Sequence, residues 1–176
     1  EMNYGDIKSH FNNLLNRSDI TAALTETFID QGIARIQRQL RTPLNESVIT
    51  YSLTGQTPAV TLPNNFMEII SLYYEDNELQ RIPMSKYRAL AVSPIQGSPT
   101  TFIRQQQSLL VHPQPSTGSL VLYYYSEFSP MTQNTDENAI AAVAPDLIIY
   151  AALTYAADYF LDERAALIEQ KYGLFL

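Results

Sequence analysis

Apolar residues recur at helical spacing near both ends of the chain and at strand spacing between them. Ile7, Phe11, Leu14 and Leu15 share one face of a helix that Asn3 is placed to cap, with Asp6 in its first turn and an end near Asn16. RSDITAALT (17–25) reads as a turn with capping residues. Beyond it Phe28, Ile29, Ile33, Ile36 and Leu40 predict a second, longer helix up to Pro43. Gly32 inside that stripe weakens the helix, which predicts a close approach by another backbone.

After Pro43 the period becomes two. SVITYSL (47–53), AVTLP (59–63), EIISLYY (68–74) and ELQRI (78–82) are short runs of β-branched and aromatic residues, punctuated by Gly55, Pro58 and Pro63. Asp76-Asn77 is read as a hairpin turn, because Asn tolerates the positive φ required there. SKYRALAV (85–92) predicts one or two helical turns. TFIRQ, SLLVHP and SLVLYYYSEF complete the strands, the last two separated by the Pro-x-Pro corner at 113–115.

Helical spacing returns at about Ala144, with Pro145 suited to the first helical position and Asp146 favoured by the helix dipole. DLIIYAALTYAADYFL is apolar nearly all round and carries Ala at 151, 152, 156 and 157, so other helices should surround it closely. A final helix over DERAALIEQKY is expected to stop at Gly173. The order predicts an α+β fold in one domain, 1–176, with helical parts at about 3–42 and 138–173 and an inserted antiparallel β-region at about 45–130, a small sandwich or a meander of hairpins. There is no repeat, linker or low-complexity segment.

Composition narrows the function classes. At 176 residues the chain is long enough to bury a core, and without cysteine it has no disulfide framework and no thiolate chemistry. A formal charge of -7 argues against a free-standing nucleic-acid-binding module, whose affinity comes largely from Lys and Arg against phosphate. EMNYGDIKSH has neither the basic start nor the apolar core of a secretory leader, and Glu1 ahead of Met2 is set aside from the fold reading. The longest apolar run, Leu147 to Ala157, falls well short of the roughly 20 residues that span a bilayer.

Catalytic constellations are missing from the sequence: there is no GxSxG, GxGxxG, Walker loop or HExxH. His10 and His112 lie far apart without matching carboxylates, and read as a surface and a strand-end histidine. Glu75/Asp76, Asp136/Glu137 and Asp162/Glu163 sit in turns or at helix ends, where solvent explains them. The sequence therefore predicts no enzyme, catalytic site, metal or cofactor.

Two other signals stand out. Tyr73-Tyr74 and Tyr123-Tyr124-Tyr125 put an aromatic ring on both faces of their strands, as at a protein interface or at the rim of a sheet under helices. Arg35, Arg38 and Arg41 step by three along the second helix. From Arg104 to Arg164 no Lys or Arg occurs, while Glu127, Asp136, Glu137, Asp146, Asp158, Asp162 and Glu163 fall there. Asp136, Glu137, Asp158 and Asp162 are thus candidates to meet the arginines of a neighbouring subunit, head to tail; pairing within the chain is the alternative.

Three stretches, FIDQGIARIQRQLRTP, TLPNNFMEIISLYYEDNELQRIPMSKYRAL, and LLVHPQPSTGSLVLYYYSEFSPM running on to APDLIIYAALTYAADYFLDERAALIEQKY, resemble the adaptor (head-to-tail connector) proteins of tailed bacteriophages. They cover most of the chain. The glutamines at 105–107 depart from the pattern, which would place a Gly-containing turn there. The resemblance implies a helical bundle with an inserted β-domain, made in the host cytoplasm and residing in the virion neck. It also implies a ring of about twelve copies below the portal that extends the DNA channel and offers a platform to tail or nozzle proteins. DNA would pass through the lumen without specific binding, and no membrane is involved. A tail-completion or stopper role and, from another class, a carbohydrate-binding surface module are the alternatives. In KYGLFL, Leu174, Phe175 and Leu176 must bury in the bundle or in a partner; with Tyr172 they form the candidate portal-docking element.

Overall fold

The computed structural model describes residues 2–55 and 59–176. Glu1 and Pro58, both considered above, lie outside the described residues. In chain order the elements are α1 (Tyr4–Leu15), α2 (Ala22–Gln39), β1 (Glu46–Thr54), β2 (Ala59–Thr61) and β3 (Phe66–Tyr74). Next come β4 (Asn77–Glu78), β5 (Gln80–Arg81), α3 (Met84–Ala91), β6 (Thr101–Gln105), β7 (Ser108–His112) and β8 (Thr117–Ser126). The chain closes with α4 (Ala139–Val143), α5 (Pro145–Tyr159) and α6 (Ala165–Phe175). The fold is α+β, with helices from both ends of the chain and an inserted, mainly antiparallel β-region. It divides into two compact units, a helical one from 1–44 with 128–176 and a β-rich one from 45–127.

In the helical unit, α1 starts at a reciprocal cap in which the Asp6 N–H donates to Asn3 Oδ1 at 2.9 Å and the Asn3 N–H donates back to the Asp6 carboxylate at 3.4 Å. It ends at Asn16, whose φ of 54° closes the helix in the left-handed region. α2 starts earlier than the sequence reading has it. Thr21 is the N-cap, its Oγ1 accepting from the Leu24 N–H, so Ala22–Thr25 belong to the helix and not to a turn. Gly32 packs on α5: a Cβ there would lie 2.6 Å from the Ala152 backbone nitrogen. The alanines of α5 allow that approach, and Ala151, Ala152, Ala156 and Ala157 are all buried. Ile7, Phe11, Ile29, Ile36 and Ile148 are fully buried in the same core.

The C-terminal helices fill the helical part expected at about 138–173 and depart from expectation at one point, Gly173. α4 precedes α5 as a separate short helix, begun by Asn138, whose Oδ1 accepts from the Ala141 N–H at 2.8 Å. α6 runs through Gly173 to Phe175. Nothing lies within 4 Å of where a Gly173 Cβ would stand, so neither crowding nor a left-handed backbone makes this glycine a stop.

The β-unit is a small sandwich. One sheet has the order β1-β8-β3-β4 and the other β2-β7-β6-β5; all pairs are antiparallel except β5 with β6. Leu72, Leu120, Leu122 and Tyr124 of the first sheet and Val60, Phe102, Leu109 and Val111 of the second form its core. The run ELQRI is two strands and not one, because β4 pairs with β3 in the first sheet and β5 crosses to β6 in the second. The turn before β4 takes its positive φ at Glu75 (51°), and Asn77 is already in the strand. Glu75 is held from both sides: its N–H donates to the Ser119 carbonyl, and its Oε1 accepts from the Ser119 N–H at 2.9 Å. Where a glycine was expected between β6 and β7, Gln106 adopts φ 54° in a two-residue turn.

Candidate functional site and assembly surfaces

The three arginines of α2 are drawn into the helical unit to different degrees. Arg35 donates through Nη1 to Thr154 Oγ1 and to Glu169, each at 3.0 Å, and through Nη2 to Glu169 again. Its guanidinium also lies over the Tyr172 ring, 4.4 Å from the centroid. The forked pair holds the Glu169 carboxyl below its ordinary range and raises the guanidinium above its own. Arg35 thus ties α2 to α5 and α6 within the chain. Its carboxylate, Glu169, lies outside the acidic span marked by the sequence; the only signal for it is that it is the one acid of α6. Arg38 is exposed and donates to the Tyr155 hydroxyl at 3.0 Å, and Arg41 donates to the Gln37 and Leu40 carbonyls.

The candidate acids separate into two kinds. Asp136 organises its own loop, accepting from the Thr132 and Gln133 N–H groups at 2.8 Å each and from Thr132 Oγ1 at 3.2 Å, and these bonds lower its pKa. Asp162 accepts from the Arg164 side chain and N–H, which holds its carboxyl at about 2. Arg164, which the sequence did not single out, also donates to the Leu14 and Leu15 carbonyls at 2.9 Å each and so closes the C-terminal end of α1. Glu137 and Asp158 are exposed.

The tyrosines alternate as a pleated strand requires. In β8, Tyr124 is buried in the sandwich core, its hydroxyl donating to Asn65 Oδ1 at 3.0 Å, whereas Tyr123 is 42% exposed on the outer face. Tyr73 meets Tyr123 edge-on at 5.8 Å, Tyr74 turns inward and donates to the Thr117 carbonyl, and Tyr125 is half-buried. The structure therefore joins Tyr73 and Tyr123 on one surface and assigns Tyr124 to the interior.

At the end of α6, Tyr172 is buried in the helical unit, its hydroxyl donating to Gln39 Oε1 at 2.5 Å, and burial raises its pKa. Leu174 is 79% exposed, Leu176 is exposed, and Phe175 is half-covered by the Tyr150 ring at 5.2 Å. Any docking surface here falls to these three residues and not to Tyr172.

Among the described residues no group of three His, Cys, Asp or Glu side chains gathers as a metal site, and no helix is long and apolar enough to cross a membrane. What the described residues do expose is an aromatic patch on one sheet face, at Tyr123, and an apolar helix end, at Leu174, Phe175 and Leu176. No curated protein matches the chain. The family described as SU10 adaptor protein matches residues 2–175, which spans both units. With nearly every residue of the sequence inside that match, the chain belongs to the SU10 adaptor family of bacteriophage structural proteins.

Proposed function

We propose that copies of this protein form a ring, of about twelve subunits, under the portal of a tailed bacteriophage, where it extends the DNA channel and carries the tail or nozzle proteins. The observation that carries this reading is the family match across 2–175, which leaves neither unit unaccounted for. In this reading both units work as one adaptor domain in the virion neck and no catalysis is involved. The net charge of -7 supports passage of DNA, since an acidic channel repels phosphates and does not retain the genome. Arg38, Glu137, Asp158 and Tyr123, all exposed, remain the sequence candidates best placed for subunit contacts. Leu174, Phe175 and Leu176 would dock on the portal.

Electron microscopy of the purified protein mixed with its portal tests the reading. A ring stacked on the portal is the expected image, and Leu174→Ser with Leu176→Ser should reduce the stacked fraction while leaving the thermal midpoint nearly unchanged. A protein that stays monomeric and never joins the portal would refute the adaptor role.

A further inference from the structure

Charge divides the β-unit by sheet. All of its carboxylates belong to the first sheet, its turn or its border: Glu46 in β1, Glu68 in β3, Glu75 and Asp76 before β4, Glu78 in β4, and Glu127 just past β8. All of its cations belong to the second sheet or to α3: Arg81 in β5, Lys86 and Arg88 in α3, Arg104 in β6. No acid occurs between Glu78 and Glu127, and no Lys or Arg occurs in β1, β3, β4 or β8.

Strand register fixes what the first sheet shows on its outer face. Residues opposite one another share a face, so Val48, Tyr123 and Ser71 form one row, and Thr50, Val121, Tyr73 and Glu78 the next. Val48 is 56% exposed, and Ile70, at a bulge in β3, is 42% exposed. Between Glu46, Ile70, Tyr73 and Tyr123 lies a depression of about 280 Å³. The face sets Val48, Ile70, Tyr73 and Tyr123 among Thr50 and Ser71, and its carboxylates are Glu46, Glu68 and Glu78.

The complementary surface is α3 and the segment after it. α3 rests on β6 and β7 yet has no buried residue, and only Tyr87 and Leu90 are half-covered. A helix this short has little stability of its own. Met84 in the helix and Val92 (81%) and Ile95 in the segment after it are exposed, as are Lys86 and Arg88.

We propose that the outer face of the first sheet receives the α3 segment, 84–95, of a neighbouring copy, with Glu46 and Glu78 supplying the charges that meet Lys86 and Arg88. A second copy is the fitting occupant because the two surfaces are opposite in charge and matched in apolar character. The face is that of the first sheet, whereas α3 packs against β6 and β7 of the second, on the other side of the sandwich core. One copy therefore does not satisfy itself, and the contact is head to tail, the kind that propagates around a ring. The proposal rests on the ring reading above and names the surface that would build it.

The chain has no cysteine, so Val48→Cys on the face and Ser85→Cys on α3 can be linked without background. Treated with a short bismaleimide after assembly, the double variant should give a denaturing-gel ladder climbing to the full ring, while each single variant should not. In parallel, Lys86→Glu with Arg88→Glu should raise the half-assembly concentration about tenfold, and adding Glu46→Lys with Glu78→Lys should restore it. A ring without a ladder, or a charge swap that fails to restore assembly, overturns the α3 contact and leaves the ring standing. A face protected from hydrogen exchange only when portal or tail protein is added overturns it in favour of that partner. If the wild type forms no ring with or without portal, the ring reading and this contact fall together.

Discussion

Gly32 shows how much one side chain decides in the helical unit. A methyl group there would meet the Ala152 nitrogen at 2.6 Å and the Ala151 carbonyl carbon at 3.0 Å, and neither backbone atom is free to swing aside. Alanine favours a helix over glycine by about 1 kcal/mol, but overpacking a tight contact costs about 1–3 kcal/mol. Gly32→Ala is therefore expected to lower the unfolding free energy by about 1 kcal/mol, read from the urea midpoint; a gain would mean that α2 and α5 part freely. This contact was legible because a glycine within an apolar stripe has few other uses. Glu75 and Gln106 were not legible, since both hold positive φ without the residue type that usually marks it. At Glu75 the reason is tertiary: two hydrogen bonds to Ser119 of β8, 44 residues away, hold the turn.

Among the elements, α1 and α6 are linked through a charge pair. Arg164 reaches the last carbonyls of α1 because the Asp162 carboxylate orients its guanidinium, and that carboxyl is held at about 2 against an ordinary 3.8. Its folded pKa is depressed, so the stabilisation is fully present above the ordinary value and is lost as pH falls through about 2. Urea midpoints of the wild type and Asp162→Asn should differ at pH 6 and converge near pH 2; a difference that persists at pH 2 would mean that something other than this ionisation is at work. Nothing in the local sequence predicts which carbonyls Arg164 meets, because its partners are separated from it by 149 and 150 residues. The periodicity did reveal α1, α2, α5 and the long strands, whose apolar faces are regular. It failed where elements are too short for a pattern, as in β4 and β5, and at Gly173, where composition implied a stop that the backbone does not make.

For the whole molecule, the aromatic and arginine signals were legible as residue types, whereas their partners were not. Tyr123 and Tyr124 are adjacent in sequence and opposite in fate, and Arg35 finds Glu169 within the chain. Connectivity has a further consequence. The β-unit is one continuous stretch, 45–127, with a core built around Leu72, Leu120 and Leu122, while the helical unit needs both 1–44 and 128–176 to complete a core that includes Ile7, Ile29 and Ile148. A unit that closes on itself has the shorter route to folding, whereas the helical unit must first bring distant segments together at a cost in loop-closure entropy. Leu122→Ala and Ile148→Ala, both at fully buried positions, should each cost about 2–5 kcal/mol. Hydrogen exchange on the full chain should then show Leu122→Ala raising exchange in β1, β3 and β8 while α2 and α5 keep their protection, and Ile148→Ala doing the reverse. If either substitution released amides of both units equally, the two cores would be energetically one, and the protein would open as a single cooperative body.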